Sequence, residues 1–97
     1  MLANWHLQAL YAIVNSKQKR TLAAIITDPA SPSIAWVALE SLLLSAGCDV
    51  IEVCGSRVRF VKDGNVQTFH RPHPEPNAKR YQVRDAREYL SRLGIKP

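Results

Sequence analysis

Apolar residues fall at helical spacing over four stretches of the chain and at alternate positions over three short ones. Leu2, Trp5, Ala9, Leu10, Ala12 and Ile13 make an irregular helical stripe over residues 1–14. Ser16 to Ile26 reads as a helix, with Asn15 or Ser16 as its cap and Leu22, Ile25 and Ile26 on one side. Thr27-Asp28-Pro29 stops it, because the residue before proline is pushed out of the helical region, and a turn over Ala30–Ser33 follows. A second helix is predicted from about Ala35 to Ala46, with Trp36, Leu39, Leu43 and Ala46 in register. Val37, Leu42 and Leu44 widen its stripe, so it should be the most buried element, closed by Gly47 in a left-handed cap.

Beyond Gly47 the period changes to two. Asp49, Ile51 and Val53 alternate with Val50, Glu52 and Cys54, a strand pattern ended by Gly55-Ser56. In the next run Val58 and Phe60 face one way and Arg57 and Arg59 the other. Lys62-Asp63-Gly64-Asn65 is a hairpin turn, since Asp-Gly suits positive backbone angles, and Val66–His70 returns antiparallel. The stretch Arg71-Pro72-His73-Pro74-Glu75-Pro76-Asn77 has too many prolines for a helix or central strand. A last helix runs from about Gln82 to Leu93, with Val83, Ala86, Tyr89, Leu90 and Leu93 as its apolar face and Gly94 as its stop. The pattern predicts an α+β fold whose helices cover one face of a three-stranded antiparallel sheet and leave Arg57 and Arg59 on the other.

With 97 residues, the chain has room for one core. No run approaches the roughly 20 apolar residues of a membrane span, and no basic n-region precedes an apolar core, so a cytoplasmic location is expected. The net charge is +5 and the pI about 9.6, and the excess lies wholly in the second part of the chain. Residues 1–56 hold three basic against four acidic residues, and residues 57–97 hold ten against four. Such asymmetry is the electrostatic footprint of a nucleic-acid binder, and it also fits a well-solvated basic surface.

Three groups of residues carry candidate chemistry. At Gly55-Ser56-Arg57-Val58-Arg59-Phe60 a turn offers backbone N–H groups and a hydroxyl to phosphate with two arginines beside it; an ordinary hairpin would look the same. At Phe69-His70-Arg71-Pro72-His73-Pro74 a polyproline II path would bring His70 and His73 to one side, roughly 9 Å apart. Two imidazoles so placed could act as base and acid on a ribose-phosphate, with Arg71 or Arg57 near its oxygens; the plainer reading is two surface histidines. Third, Lys79-Arg80, followed by Arg84, Arg87 and Arg92, could track a phosphate backbone, although Glu88-Arg92 also fits an i, i+4 ion pair on a solvated helix. Cys48 and Cys54, about 20 Å apart at strand rise, read as small buried hydrophobes, and no metal or cofactor motif is present.

Gly55-Ser56-Arg57-Val58-Arg59-Phe60, then Arg71-Pro72-His73-Pro74, then a terminal helix closing on Leu93-Gly94-Ile95 resemble the HicA family of toxins from bacterial toxin–antitoxin pairs. The likeness covers about Ile34 to Ile95, with the pieces in the family's order and spacing. It implies a fold like a double-stranded-RNA-binding domain, α-β-β-β-α, to which helix Ser16–Ile26 is an addition. It implies RNA cleavage without a metal or cofactor, and a partner antitoxin, HicB, that covers the active site. The family's strand-two motif is Gly-Ser-His, with the histidine catalytic; here that position is Arg57, which stays protonated and cannot act as a base. His73 matches the family's loop histidine and His70 is an extra one beside it.

The sequence is therefore read as a HicA-like endoribonuclease using His73 and His70, with Ser56, Arg57, Arg59, Arg71, Lys79 and Arg80 binding RNA. The alternative is a non-catalytic RNA-binding module that mainly engages a HicB-like antitoxin or another protein. A DNA-binding regulator is less favoured, since no helix-turn-helix spacing is evident. Residues 15–97 form the single domain, and residues 1–14 lie outside the resemblance as an N-terminal extension, with a gene start near Val14 as one reading.

Overall fold

The computed structural model describes residues 16–27 and 33–95. Six elements follow in order: α1 (Ser16–Ile26), α2 (Trp36–Ser45), β1 (Asp49–Glu52), β2 (Arg57–Lys62), β3 (Asn65–His70) and α3 (Arg80–Arg92). The stripe expected over residues 1–14, a cap at Asn15 and residues 28–32 of the predicted stop and turn lie outside the described residues.

The strands form one antiparallel sheet in the order β1-β2-β3. Asp63 and Gly64 both take positive φ, +51° and +79°, the primed turn whose twist matches that of flanking strands. That turn sets the register from Lys62↔Asn65 to Arg57↔His70. Alternation then sends Val58, Phe60 and Phe69 to the buried face and Arg57, Arg59, Thr68 and His70 to the open one.

All three described helices contribute to the same core. α1 supplies Leu22 and Ile25, α2 supplies Trp36, Leu39, Leu42 and Leu43, and α3 supplies Val83, Ala86, Tyr89 and Leu90. Trp36, Phe69 and Phe60 form an edge-to-face chain with centroid spacings of 5.4 and 5.9 Å, linking the start of α2 to two strands. Arg87 of α3 donates from Nε to the Ile25 carbonyl (2.9 Å) and from Nη2 to the Thr27 carbonyl (3.0 Å). A cation at carbonyls that a helix end leaves free fastens α1 to α3. Gly47 closes α2 with φ +95°, and a Cβ there would also press on Lys62 Nζ, which donates to the Ala46 carbonyl.

Several expectations are corrected. Val37 and Leu44 do not widen the buried stripe; they are 73% and 44% exposed. Seven residues apart, they share one side of a short helix whose other side carries the buried Trp36, Leu39, Leu42 and Leu43. Cys48 is buried but Cys54 is exposed in the β1–β2 turn. α3 begins at Arg80 rather than Gln82, because the Gln82 Oε1 accepts the Lys79 N–H at 2.9 Å and draws the first turn earlier. Glu88 and Arg92 do not pair; Arg92 lies over the Tyr89 ring and reaches Val66 and Gln67 of β3.

The segment from Arg71 to Lys79 has no regular structure but is fastened at both ends. The Arg71 N–H continues the hairpin ladder to the Ser56 carbonyl at 2.8 Å. At the other end Ala35 bridges Asn77, with Trp36 N–H on the Pro76 carbonyl (2.9 Å) and Ala78 N–H on the Ile34 carbonyl (2.8 Å). Arg71's side chain does most to hold the loop. Its Nε and Nη2 grip the Glu40 carboxylate at 3.1 and 2.9 Å, and its Nη1 meets both Glu52 oxygens at 2.5 and 2.8 Å. One guanidinium thus ties α2, β1 and the loop, and the Trp36 indole donates to the same Glu40 at 2.8 Å.

The Arg71 guanidinium holds the Glu40 carboxyl below the usual carboxylate range, helped by the Trp36 indole and opposed by burial. A carboxyl whose pKa is lower folded than unfolded stabilises the fold fully above the unfolded value. That contribution is lost as pH falls through the folded value. Glu40→Gln is expected to cost about 1–2 kcal/mol at pH 7. In urea titrations at stepped pH, the gap between wild type and variant should close as the solution is acidified through the carboxylate range.

Candidate functional site

The β2–β3 register decides which of the sequence-derived residues meet. Arg57, the first residue of β2, lies directly opposite His70, the last of β3. Because the Arg71 N–H bonds to the Ser56 carbonyl, this is a non-hydrogen-bonded pair, in which Cα atoms stand about 4.5 Å apart and side chains are closest. Guanidinium and imidazole therefore rise side by side from the open face, and both residues are exposed. Two residues on, Ile51, Arg59 and Thr68 form the next row across the sheet, and Asp49, Val61 and Val66 the one after. The face combines cations with the exposed apolar side chains of Ile51 and Val66.

Ser56 sits just before this pair, in the turn opened by Gly55 at φ +60°. Its carbonyl is taken by Arg71, and the Arg57 N–H closes the turn on the Cys54 carbonyl at 3.0 Å. The exposed Ser56 hydroxyl remains. His73 is exposed in the fastened loop. His70 belongs to the ladder of β3 as its last residue, and the His73–Pro74 peptide that follows the loop histidine is cis. Arg71 also stands apart from the expected cluster. It follows His70 and so turns to the covered side, where two carboxylates occupy its guanidinium. Its charge does not reach the open face.

Lys79 and Arg80 are both exposed at the start of α3. What brings them near His70 is Gln82, a residue the sequence reading assigned no part. Gln82 is only 1% exposed, the one buried polar side chain among the described residues. Its Nε2 donates to the His70 carbonyl at 2.6 Å while its Oε1 accepts the Lys79 N–H. In a non-hydrogen-bonded pair the carbonyl points away from the partner strand, so this amide caps the outer edge of β3. The available signal was a glutamine three residues after a helix cap; its second contact, twelve residues back, was not legible. Among the described residues, no three His, Cys, Asp or Glu side chains converge as metal ligands. No helix among the described residues is long and apolar enough to cross a membrane.

Gln82→Ala leaves the part-buried His70 carbonyl and Lys79 N–H without their side-chain partner, which should destabilise the fold by about 1–2 kcal/mol in urea unfolding. Gln82→Glu keeps an acceptor for the Lys79 N–H but sets a buried carboxylate against the His70 carbonyl, and should destabilise the fold at pH 7 at least as much as Gln82→Ala.

No curated protein and no solved structure matches the chain. A family model does, the HicA toxin of bacterial toxin–antitoxin systems, over residues 36–95. Those residues run from the first residue of α2 through the sheet and α3, and so contain Ser56, Arg57, His70, His73 and Gln82. With the matched order α-β-β-β-α and more than half of the chain included, the chain belongs to the HicA toxin family.

Proposed function

We propose that this protein is the toxin of a toxin–antitoxin pair and acts as a metal-independent endoribonuclease. His70 and His73 are its proton carriers, and Ser56, Arg57, Arg59, Lys79 and Arg80 its backbone-binding groups. The observation that carries this reading is the cross-strand pair, an imidazole directly opposite a guanidinium on an exposed, cation-bearing face. In cleavage without a metal, a base takes the 2′-hydroxyl proton as that oxygen attacks the adjacent phosphorus. An acid then protonates the 5′-oxygen as its bond to phosphorus breaks, leaving a 2′,3′-cyclic phosphate and a 5′-hydroxyl. Imidazole suits both tasks. Arg57 is a permanent cation and suits stabilisation of charge on the pentacovalent phosphorus, the role open to it where the family places a histidine.

Arg71 leaves the phosphate-binding set, since Glu40 and Glu52 hold it. Its part is to fasten the loop that carries His73. A HicB-like antitoxin is the proposed protein partner. Ile51 and Val66 give the open face the apolar area that such a partner would bury beside the cations. A cytoplasmic location follows from the same reading.

The second reading is a non-catalytic RNA-binding module that engages the antitoxin, and the specific observation favouring it is Arg57 itself, where the family's catalytic histidine is missing. The two part on one experiment, in which purified protein is incubated with RNA in EDTA. The proposed function expects cleavage with cyclic-phosphate ends and growth arrest on expression. It expects His70→Ala and His73→Ala each to slow cleavage about 10²- to 10⁴-fold while RNA binding stays within a few-fold. Binding without cleavage, with or without added divalent ions, would leave the second reading. Arg57→Ala and Lys79→Ala should weaken binding and each lower the salt slope by about 0.7, the value for one lost contact to a single-stranded phosphate.

A further inference from the structure

We propose that Tyr81 is a nucleobase-stacking subsite beside His70, so that the protein grips an unpaired nucleotide next to the reacting phosphate. This subsite rests on the RNA reading above and adds the substrate class, single-stranded RNA.

Two tyrosines lie among the described residues, and they do opposite things. Tyr89 is fully buried, with its hydroxyl donating to the Asn65 carbonyl at 3.0 Å. Tyr81 is 46% exposed in the first turn of α3. Its neighbours Lys79, Arg80 and Arg84 are all exposed, and none of the three forms an ion pair among the described residues. An aromatic ring set among unpaired cations is the pairing that holds single-stranded nucleic acid: the cations follow the backbone and the ring takes a base on its face.

The position of the ring follows from the helix. Arg92 stands eleven residues after Tyr81, three turns on, and so shares its side of α3. That side overlies the outer edge of β3, since Arg92 Nη2 reaches the Val66 carbonyl at 3.5 Å and the Gln67 side chain at 3.3 Å. α3 runs antiparallel to β3, with Gln82 at His70 and Tyr89 at Asn65. Tyr81 therefore stands over the same edge at the His70 end. Asp85 and Glu88, four and seven residues after Tyr81 on the same face, bound the basic patch, so a polyanion is drawn to Lys79, Arg80 and Arg84 at the first turn and not along the helix. A duplex buries its base faces in its own stack, whereas an unpaired strand offers them.

The test uses a labelled single-stranded 2′-O-methyl oligoribonucleotide, which lacks the attacking hydroxyl, in fluorescence anisotropy with the full chain. Tyr81→Ala is expected to weaken binding roughly five- to a hundredfold, with Tyr81→Phe and Tyr81→Trp close to wild type. The salt slope should stay at the wild-type value for Tyr81→Ala, because no charge is lost, and fall for Arg84→Ala. Oligomers with one base removed at a time should include one position where removal weakens wild type by the Tyr81→Ala factor and leaves Tyr81→Ala itself unaffected. An exposed ring is dispensable to the fold, so urea midpoints should coincide. Equal RNA affinity for wild type and Tyr81→Ala overturns the subsite while the RNA reading stands. Loss of a protein partner's binding in Tyr81→Ala with RNA affinity intact overturns it too and makes the patch a protein contact. If wild type binds no RNA, the functional reading falls and the subsite with it.

Discussion

The arrangement of this molecule depends on the register of one hairpin. Side chains on a strand alternate strictly, so a slip of one residue between β2 and β3 would turn one strand over against the other, sending either Phe69 outward and His70 inward or Val58 and Phe60 outward and Arg57 and Arg59 inward. Two things forbid that slip. The Asp63-Gly64 turn admits one pairing, and Trp36 stacks edge-on against Phe69 from the helical layer. Burial of three apolar side chains and presentation of a cation–imidazole pair are thus one event seen from the two sides of the sheet.

The second constraint is how a segment with no ladder of its own is held beside that pair. Its backbone joins the sheet at Ser56 and the start of α2 at Ala35, and the Arg71 guanidinium closes the gap between them through Glu40 and Glu52. Two carboxylates on one cation leave this corner with a net negative charge. The positive charge of the open face therefore rests on Arg57 and Arg59 and on the first turn of α3.

Much of this was legible from residue order alone. Period-two alternation and Asp-Gly gave β2, the turn and β3, because local geometry decides them. The buried stripes of α2 and α3 followed from helical spacing, as did Gly47 as a left-handed stop. Where the reading went astray, the deciding contact was distant in sequence. Arg71 was grouped with the histidines because nothing local shows that strand alternation turns it toward Glu40 and Glu52. The cross-strand partner of His70, Arg57, was not read from the sequence, because it lies thirteen residues away and is fixed by the register of the sheet. Val37 and Leu44 look like core by composition, and only the packing of α2 on the side of Trp36, Leu39, Leu42 and Leu43 leaves them outside. Gln82 was missed because half of its meaning lies at the carbonyl of a residue in another element.

The capped edge of β3 has a consequence for assembly. Its outward carbonyls at Val66, Thr68 and His70 each receive a side-chain donor, from Arg92, Gln67 and Gln82, whereas β1 at the far edge is exposed along its whole length. An incoming strand seeks free carbonyls, and at β3 it would have to displace all three donors. A sheet with one guarded flank can be extended once, by a foreign strand or by a second copy joined about a twofold axis, after which no open flank remains. Propagation into a fibre needs two.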